Sequence, residues 1–302
     1  MATPRVSVIL PVYNGQEYLA EAVESILHQS FDAFELIIVD DGSTDRSPAI
    51  LRRYAAHDPR IHLISRPNTG LVGALRDGLA AARSDLIARM DADDIALPQR
   101  LEKQYHYMVA HPECVLLGTF VRAIDPHGLL LWDETSGPVT HEEIDRELMK
   151  GRGGVIRHPA AMMRLEAVRR VGGYRDHYNT AEDLDLFLRL AEIGRIANLP
   201  EILLLYRQHY KSVNRTRFAL QNERITQVVH EAARRRGVTI PADWRYTPKP
   251  PRPADQQLRD WGWLALKQNR ADIARKHARS LLGMQPTRLD SWRLLFCALR
   301  GY

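Results

Sequence analysis

The chain has 302 residues, 45% hydrophobic and 26% charged, which is typical of a soluble globular protein with two domains or one large domain and an appendage. No apolar run approaches the ~18 residues of a membrane span. The two cysteines lie far apart in the sequence, so they imply no disulfide framework, and a reducing cytoplasm is the default expectation.

The net charge of +5 is distributed unevenly along the chain. Residues 211–302 hold 19 Lys/Arg against 7 Asp/Glu, a local net charge of +12, whereas the first 210 residues have a net charge of −7. This asymmetry indicates that the C-terminal part faces an anionic partner, either a membrane surface or nucleic acid. A solvated basic face without a partner is the alternative.

Strand and helix patterns alternate at short spacing through the first ninety residues. The predicted strands are residues 6–12, 34–39, 61–65 and 86–90, and the predicted helices are residues 17–29, 47–56 and a segment that ends at residue 82. Because no hairpin signal interrupts the alternation, the pattern predicts an α/β fold of parallel βαβ units joined by right-handed crossovers.

Polar and turn residues follow each of these strands directly. They are residues 11–14, 40–41, 66–70 and 91–94. Ligands of open α/β sheets bind beyond the carboxyl ends of the strands, so this layout predicts a site at one edge of the sheet.

The most informative of these segments holds three carboxylates within four residues: Asp91, Asp93 and Asp94. Their mutual repulsion is costly unless a cation neutralises it, and carboxylate oxygens are ligands for hard divalent ions. An alternative is that Asp93 or Asp94 caps a helix starting near Pro98. A calcium-binding loop is excluded, because Ile95 occupies a ligand position and Ala96 replaces the turn glycine.

The alternation is less regular after residue 110. The pattern predicts a strand within residues 115–124, a turn at 125–128, a helix over 140–150 capped by Thr140 with Glu143, and a short helix over 165–171 closed by residues 172–174. A helix then starts at Thr180, with Asp183 completing its cap, so that Glu182 and Asp183 lie in the first turn. Carboxylates there also suit the helix dipole, which is the purely structural interpretation. Residues 203–209 are predicted to form a strand leading into a basic loop.

Five prolines between residues 241 and 253 predict an extended linker. Three amphipathic helices follow, at 255–269, 271–284 and 287–300. They resemble a single tetratricopeptide repeat, but one copy is too few for a solenoid, so a small bundle docked on the preceding domain is expected. Trp261, Trp263 and Trp292 either pack in its core or mark a face for a membrane surface.

Taken together and in order, these motifs resemble glycosyltransferase family 2, whose members are inverting enzymes of the GT-A fold. The motifs are residues 6–14, 40–45, 91–94, 172–174, 182–183 and 206–209. Each is weak alone, but the ordered set is specific and covers roughly residues 4–215. The resemblance implies a GT-A domain over 1–215, a Rossmann-like, mostly parallel sheet flanked by helices, followed by a basic helical region over 216–302.

The resemblance also implies roles for residues in the nucleotide and metal subsites. Tyr13 would stack on the base and Asp41 would hydrogen-bond it. The other expected nucleotide contacts are Pro11, Asn14, Asp40, Arg66, Asn68 and Asp91. Asp93 would be the direct ligand of Mg²⁺ or Mn²⁺, with Asp91 near the ribose and metal. His209 would contact the metal or diphosphate, with an ordinary loop histidine as the alternative.

For the reaction itself, the resemblance identifies Asp183 as the catalytic base, with Glu182 as its alternative. The residues expected near the acceptor or diphosphate are Arg157, His158, Gly173 and Tyr174, and a structural role for His158 is equally compatible with the sequence. Transfer from a nucleotide–sugar needs the leaving diphosphate stabilised and a carboxylate on the opposite face to accept the acceptor's proton.

The sequence therefore predicts a metal-dependent inverting glycosyltransferase that uses a nucleotide-sugar donor, with UDP as the expected nucleotide. The expected acceptor is a surface saccharide or a lipid-linked glycan, met in the cytoplasm or peripherally at the inner face of the membrane. A sugar-nucleotide nucleotidyltransferase is the alternative enzyme, but residues 13–17 lack its glycine-rich basic loop. A nucleic-acid-binding protein is a second alternative, although the basic residues are dispersed along helices and no nucleic acid is expected.

Overall fold

A computed structural model describes residues 3–209 and 217–301 of the chain. Nine strands of this described part form one sheet, in the order β3-β2-β1-β4-β8-β6-β9-β5 with β7 paired to β6. Their bounds are β1 Val6–Val12, β2 Phe34–Asp40, β3 Ile61–Ser65, β4 Leu86–Arg89, β5 Ile95–Ala96, β6 Cys114–Ile124, β7 Leu130–Asp133, β8 Met162–Arg164 and β9 Arg195–Arg207. Both faces of the sheet are covered, because two separate clusters of buried apolar side chains lie against it.

The first four strands are parallel and agree with the prediction from the sequence. β1 lies between β2 and β4, pairing Val12 with Asp40 and Ile9 with Arg89. All residues of β1, β2 and β4 are buried, which explains why they form continuous apolar runs instead of alternating patterns. The carboxyl ends of these strands therefore meet at one edge of the sheet, as predicted.

The second half of the sheet is mixed. β8 pairs antiparallel with both β4 and β6, whereas β9 runs parallel to β6. The sequence predicts a strand over residues 203–209, but β9 begins eight residues earlier, at Arg195. Its middle contains Pro200, and the register with β6 shifts between Thr119 and Phe120, so this irregular stretch lacked a recognisable strand pattern.

The helices flank the sheet and pack beside it. They are α1 Leu19–Leu27, α2 Ser47–His57, α3 Leu71–Ala81, α4 Arg100–Ala110, α5 His141–Leu148, α6 Leu165–Arg170, α7 Glu182–Ala191, α8 Phe218–Arg236, α9 Ala254–Lys267, α10 Ala271–Met284 and α11 Leu289–Arg300. In α5, the Glu143 carboxylate accepts the backbone N–H of Thr140, in agreement with the predicted cap.

The alternative cap by Asp93 or Asp94 does not form, and the predicted cap at Thr180 is wrong. Helix α4 has Gln99 at its N-cap position, so neither Asp93 nor Asp94 caps it. Helix α7 has Ala181 at its N-cap position, and Thr180 instead adopts a left-handed conformation with φ +83°. The acidic pair nevertheless lies in the first turn of α7, as predicted.

The last three helices pack together against the turn between β6 and β7. Leu129 is buried with residues of α9, α10 and α11, and Leu131 packs beside Trp261. The buried imidazole of His277 lies 2.5 Å from the Asp125 carboxylate of this turn. The bundle is thus anchored on the sheet. None of the helices in the described part of the chain is both long enough and apolar enough to cross a bilayer.

The proline-rich segment contains no helix or strand, but part of it packs on the larger core. Trp244 and Tyr246 lie against the apolar cluster that includes residues of α8. The Tyr246 backbone N–H also donates to the hydroxyl of Thr226 in that helix. This segment is therefore fixed along α8 before the chain enters the bundle.

Close packing of α3 on β1 gives a test of this arrangement. A Cβ atom at Gly78 would lie 2.4 Å from Cγ2 of the buried Ile9, so Gly78→Ala should lower the free energy of unfolding by about 1–3 kcal/mol. The matched control is Gly283→Ala in α10, where nothing lies within 4 Å, and stability should stay equal or rise by up to about 1 kcal/mol. Calorimetric unfolding of both variants measures the difference, and equal stabilities would contradict the packing.

Candidate active site

Segments from both halves of the sheet surround a cavity of about 780 Å³ at the carboxyl edge. We call it the edge cavity. Its lining includes Pro11, Val12, Tyr13, Asp41, Asn68, Gly70, Arg89, Asp91, Asp93, Glu182, Asp183, Tyr206, Arg207 and His209. Residues as far apart as 11 and 209 thus meet here, because β1, β2, β4 and β9 all end at this edge.

One side of the edge cavity is built by the turns after β1, β2 and β3. The buried Asp41 carboxylate accepts the backbone N–H groups of Thr69 and Gly70 at 3.0 and 2.8 Å. Arg66 lies behind it, with Nε 3.4 Å from Asp41 Oδ1 and a second ion pair to Asp77. The aromatic ring of Tyr13 is 55% exposed and free to receive a flat ligand.

Three residues expected in the nucleotide pocket lie outside the lining of the edge cavity and support its walls: Arg66, which pairs with Asp41, and the residues Asn14 and Asp40. The side-chain oxygen of Asn14 accepts the N–H of Thr44 at 2.8 Å. The buried Asp40 accepts the N–H of Ser43 at 3.1 Å. Both side chains hold the turn after β2 in place.

The acidic segment after β4 gathers three carboxylates. One oxygen each from Asp91, Asp93 and Asp94 lies within 4.8 Å of the others, and within residues 3–209 and 217–301 no second such acidic, histidine or cysteine group occurs. Asp91 forms an ion pair with the buried Arg89, and Asp93 Oδ2 lies 3.0 Å from Nε2 of His209. The predicted metal residues are therefore adjacent in space.

The electrostatics of this group favour a cation. Burial, together with the charges of Asp93 and Asp91, raises the pKa of Asp94 well above its usual range. Its Oδ2 atom is buried without a hydrogen-bond partner among the described residues. Burial also raises the pKa of Asp91. Oxygen ligands at this spacing fit a hard divalent ion, which would relieve the repulsion.

Arg207, at the end of β9, holds the acidic segment in place, and the sequence reasoning gave it no role. Its backbone N–H donates to Asp94 Oδ1 at 2.7 Å, and its Nε donates to the carbonyl oxygen of Asp93 at 2.7 Å. The guanidinium also pairs with Glu21 and lies 4.4 Å above the ring of Tyr18. Only the tertiary pairing of β9 with β5 and β6 reveals this contact.

The acidic pair of α7 lines the edge cavity together with Asp91 and Asp93. Glu182 is buried, its Oε2 accepts the N–H of Thr180 at 2.7 Å, and burial with the Asp183 charge raises its pKa to about 7. Asp183 is half-buried, and burial raises its pKa too. A carboxylate with a raised pKa is a stronger base, which suits proton transfer.

A second cavity of about 680 Å³ adjoins the first, and we call it the flank cavity. Asp91, Asp183 and Tyr206 line both cavities. Other walls of the flank cavity are the 151–159 segment, the start of α8 and residues 246–251. The two cavities therefore meet beside Asp183.

Of the residues expected near acceptor or diphosphate, Arg157 and His158 line the flank cavity, whereas Gly173 and Tyr174 line neither cavity. The buried His158 ring lies 2.7 Å from the Tyr174 hydroxyl, and burial lowers the pKa of His158 well below its usual range, so the ring is neutral. Gly173 has φ +65°, and its carbonyl oxygen accepts a hydrogen bond from Arg189. Gly173 and Tyr174 therefore contact Arg189 and His158, respectively, instead of lining a cavity themselves.

Comparison with known proteins identifies relatives of the chain. The model of the family described as Glycosyl transferase family 2 matches residues 7–172. The "Putative glycosyltransferase EpsE" of Bacillus subtilis is 37% identical over 82% of this chain and 88% of its own length. The "Amylovoran biosynthesis glycosyltransferase AmsE" of Erwinia amylovora is 35% identical over 70% of this chain and 79% of its own length.

Solved structures share the fold. S. aureus TarS 1–349, in complex with UDP-GlcNAc, superposes with a TM-score of 0.62 at 17% identity, over 98% of this chain and 79% of that chain. The mannosyltransferase PcManGT of Pyrobaculum calidifontis, in complex with GDP-Man and Mn²⁺, gives 0.59 at 20% identity, over 99% and 81%. At these identities the likeness supports the fold alone.

The raised pKa of Glu182 predicts how stability depends on pH. Because the folded state binds the proton up to about pH 7 and the unfolded carboxyl only to its ordinary pKa of 4.5, stability falls as pH rises through that window. Glu182→Gln keeps the oxygen that accepts the Thr180 N–H. The loss of folding stability with rising pH should be smaller in this variant, by at most about 3 kcal/mol. Thermal unfolding at pH 5 and pH 8 measures it.

The matched control is Glu166→Gln, an exposed glutamate in the first turn of α6. Its pH dependence should follow that of the unsubstituted chain. An unchanged pH dependence in Glu182→Gln would show that this carboxyl titrates normally in the folded chain.

Proposed function

The chain belongs to glycosyltransferase family 2 and is a glycosyltransferase of the GT-A fold, and from this premise we propose that it is a metal-dependent inverting enzyme with a nucleotide-sugar donor. The donor would occupy the edge cavity and the acceptor the flank cavity. The observation that carries this proposal is the position of Asp183, which lines both cavities. Family membership decides against the nucleotidyltransferase and the nucleic-acid-binding protein.

We propose that the acceptor is a saccharide or lipid-linked glycan of surface polysaccharide biosynthesis. Support comes from the relatives, since AmsE is named for amylovoran biosynthesis and a 35% identical Escherichia coli protein, WbnJ, is named for O-antigen biosynthesis. A lipid-linked acceptor would be met at a membrane, so peripheral contact with the inner face stays part of the proposal. We keep the division into residues 1–215 and 216–302 as a proposal too.

In the nucleotide pocket, the exposed ring of Tyr13 would stack on the base, with Pro11 and Asn68 beside it. Asp41 already accepts two backbone N–H groups, and a carboxylate retains lone pairs for a further donor from the base. Arg66 would keep Asp41 oriented through their ion pair. UDP is the proposed nucleotide, supported by the complex of TarS with UDP-GlcNAc.

The donor set of Asp91 and Asp93, with His209 at hydrogen-bond distance from Asp93, fits a divalent ion such as Mg²⁺ or Mn²⁺. Such an ion, when bound, would act as a Lewis acid on the diphosphate of the donor. Arg207 would keep the backbone of Asp93 in position, and Arg89 would offset one carboxylate charge beneath it. Both arginines thus pre-organise the segment before any ligand arrives.

Asp183 would accept the proton of the acceptor hydroxyl as that oxygen attacks the anomeric carbon. The oxygen–carbon bond forms on the side of the flank cavity while the bond to the diphosphate breaks on the side of the edge cavity. A single displacement of this kind inverts the anomeric centre. Glu182 is more buried than Asp183 and already bonded to the Thr180 N–H, so we propose that it tunes the base.

On the acceptor side, Arg157 offers unused hydrogen-bond donors. Its guanidinium lies 5.6 and 5.7 Å from the ring centroids of Trp132 and Tyr206, and its distance to the Glu134 carboxylate is 3.7 Å. Its buried Nε has no hydrogen-bond partner among the described residues. We propose that Arg157 binds hydroxyl or anionic oxygens of the acceptor.

Removal of the proposed base gives the main catalytic test. Asp183→Asn should lower kcat by about 10²–10⁴-fold, the usual contribution of a general base, while the donor affinity stays nearly unchanged. Sugar transfer and donor binding by calorimetry are measured in parallel, with the exposed Asp243→Asn as the matched control. Transfer that survives would assign the base to another group.

The partner substitution reads out a different property. Glu182 carries a proton below about pH 7, so Glu182→Gln should leave kcat near pH 6 almost unchanged. It should shift only the alkaline part of the rate profile, where the unsubstituted chain has a second charge beside Asp183. A loss of activity as deep as in Asp183→Asn, without this shift, would identify Glu182 as the base.

A thermal-shift panel tests the donor and the metal together. UDP-, GDP- and dTDP-sugars are added with and without Mn²⁺, and the matching donor at about 100-fold its Kd should raise Tm by about 5 °C when Mn²⁺ is present. Asp93→Asn should lose the Mn²⁺-dependent part, whereas Asp243→Asn should retain it. An equal shift in Asp93→Asn would remove Asp93 from the metal site.

A further inference from the structure

The last helix of the bundle, α11, exposes a continuous apolar stripe. Leu289 is 84% exposed, Trp292 53%, Phe296 54% and Leu299 61%. These positions are spaced three or four residues apart, so their side chains lie on one side of the helix. Large apolar side chains exposed singly are common, but four on one helix face form a patch that indicates an interaction.

The stripe lies away from the side of α11 that packs in the bundle. The opposite side of α11 carries Ser291, Leu294 and Ala298, which are fully buried, and Leu294 and Ala298 pack against α9 and α10. The indole N–H of Trp292 donates to the carbonyl oxygen of Pro286 at 2.8 Å, so the ring has no unmet polar atom. The stripe can therefore be removed from water without leaving the indole N–H of Trp292 unpaired.

Positive charge surrounds this surface. Arg288 precedes the stripe, Arg293 and Arg300 flank it on the helix, and the Arg300 guanidinium lies 4.3 Å from the Phe296 ring centroid. Across residues 254–300 there are nine Lys/Arg and four Asp/Glu, a net charge of +5 with His neutral. An occupant of the stripe therefore has to be apolar in its interior and anionic at its rim.

We propose that the outer face of α11 binds the surface of an anionic lipid bilayer. Interfacial helices insert an apolar face of Trp, Phe and Leu below the headgroups while arginines bind the anionic headgroups. A second copy of the chain fits less well, because a symmetric contact would bring the same stripe and its arginines against themselves. Of the other two tryptophans of the bundle, Trp261 is buried in its core and Trp263 is half-buried against the same core, so neither takes part.

The fold connects this face to the proposed acceptor cavity. On β7, Leu131 packs on the bundle, while the neighbouring Trp132 lies against Arg157 of the flank cavity. This step rests on the proposed function: a bilayer held by α11 would place lipid-linked acceptors beside the anchored bundle. Binding of the bilayer itself does not depend on catalysis.

Flotation of the full chain with vesicles tests the proposal. Vesicles of phosphatidylcholine with phosphatidylglycerol are compared with vesicles of phosphatidylcholine alone, and only the anionic vesicles should carry the chain upward. A triple variant, Trp292→Ser with Phe296→Ser and Leu299→Ser, should bind at least about tenfold more weakly. Arg293→Glu with Arg300→Glu should weaken binding as well, and added salt should reduce the binding of the unsubstituted chain.

The matched control replaces three exposed apolar residues elsewhere, as Val109→Ser, Leu220→Ser and Val238→Ser, and should float like the unsubstituted chain. Thermal unfolding of each variant verifies that it is folded. Equal flotation of the α11 variant, or no flotation of the unsubstituted chain, would overturn the proposal. The proposal would also be overturned if the unsubstituted chain formed an oligomer but bound no vesicles, and if the α11 substitutions dissociated that oligomer. Donor-induced thermal shifts do not depend on vesicle binding. They therefore distinguish failure of the membrane proposal from failure of the enzymatic proposal.

Discussion

Repulsion among the carboxylates after β4 is the constraint on which the site depends. Asp91, Asp93 and Asp94 lie at the end of a buried strand, where water screens their charges poorly. The chain offsets part of this charge with Arg89 and holds the segment with the backbone and side chain of Arg207. Because the compensation is incomplete, the segment is folded but still electrostatically favourable for a cation.

This compensation explains why the site needs the whole sheet. Arg207 is 113 residues beyond Asp94 in the sequence and reaches it only because β9 runs parallel to β6 and ends at the carboxyl edge. Asp183 is not on a strand and instead lies in the first turn of α7. Both halves of the sheet thus contribute to the edge cavity, whereas most of the flank cavity is built by segments after residue 133.

The sequence was sufficient for features encoded by local patterns. Apolar runs predicted β1 to β4, and the turn residues that follow them predicted a site at their shared edge. The cap at Thr180 was predicted wrongly because its residue types fit a cap, whereas the Glu182 carboxylate takes the Thr180 N–H and the backbone turns left-handed. The role of Arg207 and the meeting of two cavities at Asp183 could not be predicted, because both depend on contacts between distant segments.

The turn between β6 and β7 joins the acidic segment to the C-terminal bundle. The carboxylate of Asp125 lies within hydrogen-bond distance of the buried His277 imidazole. The carbonyl oxygen of the next residue, Pro126, accepts a hydrogen bond from Arg207 at 3.3 Å. The same arginine fixes Asp93. One short turn therefore sets the position of the bundle relative to the carboxylates. Since buried polar contacts tolerate little displacement, the bundle is a fixed part of the enzyme's surface instead of a loosely tethered appendage.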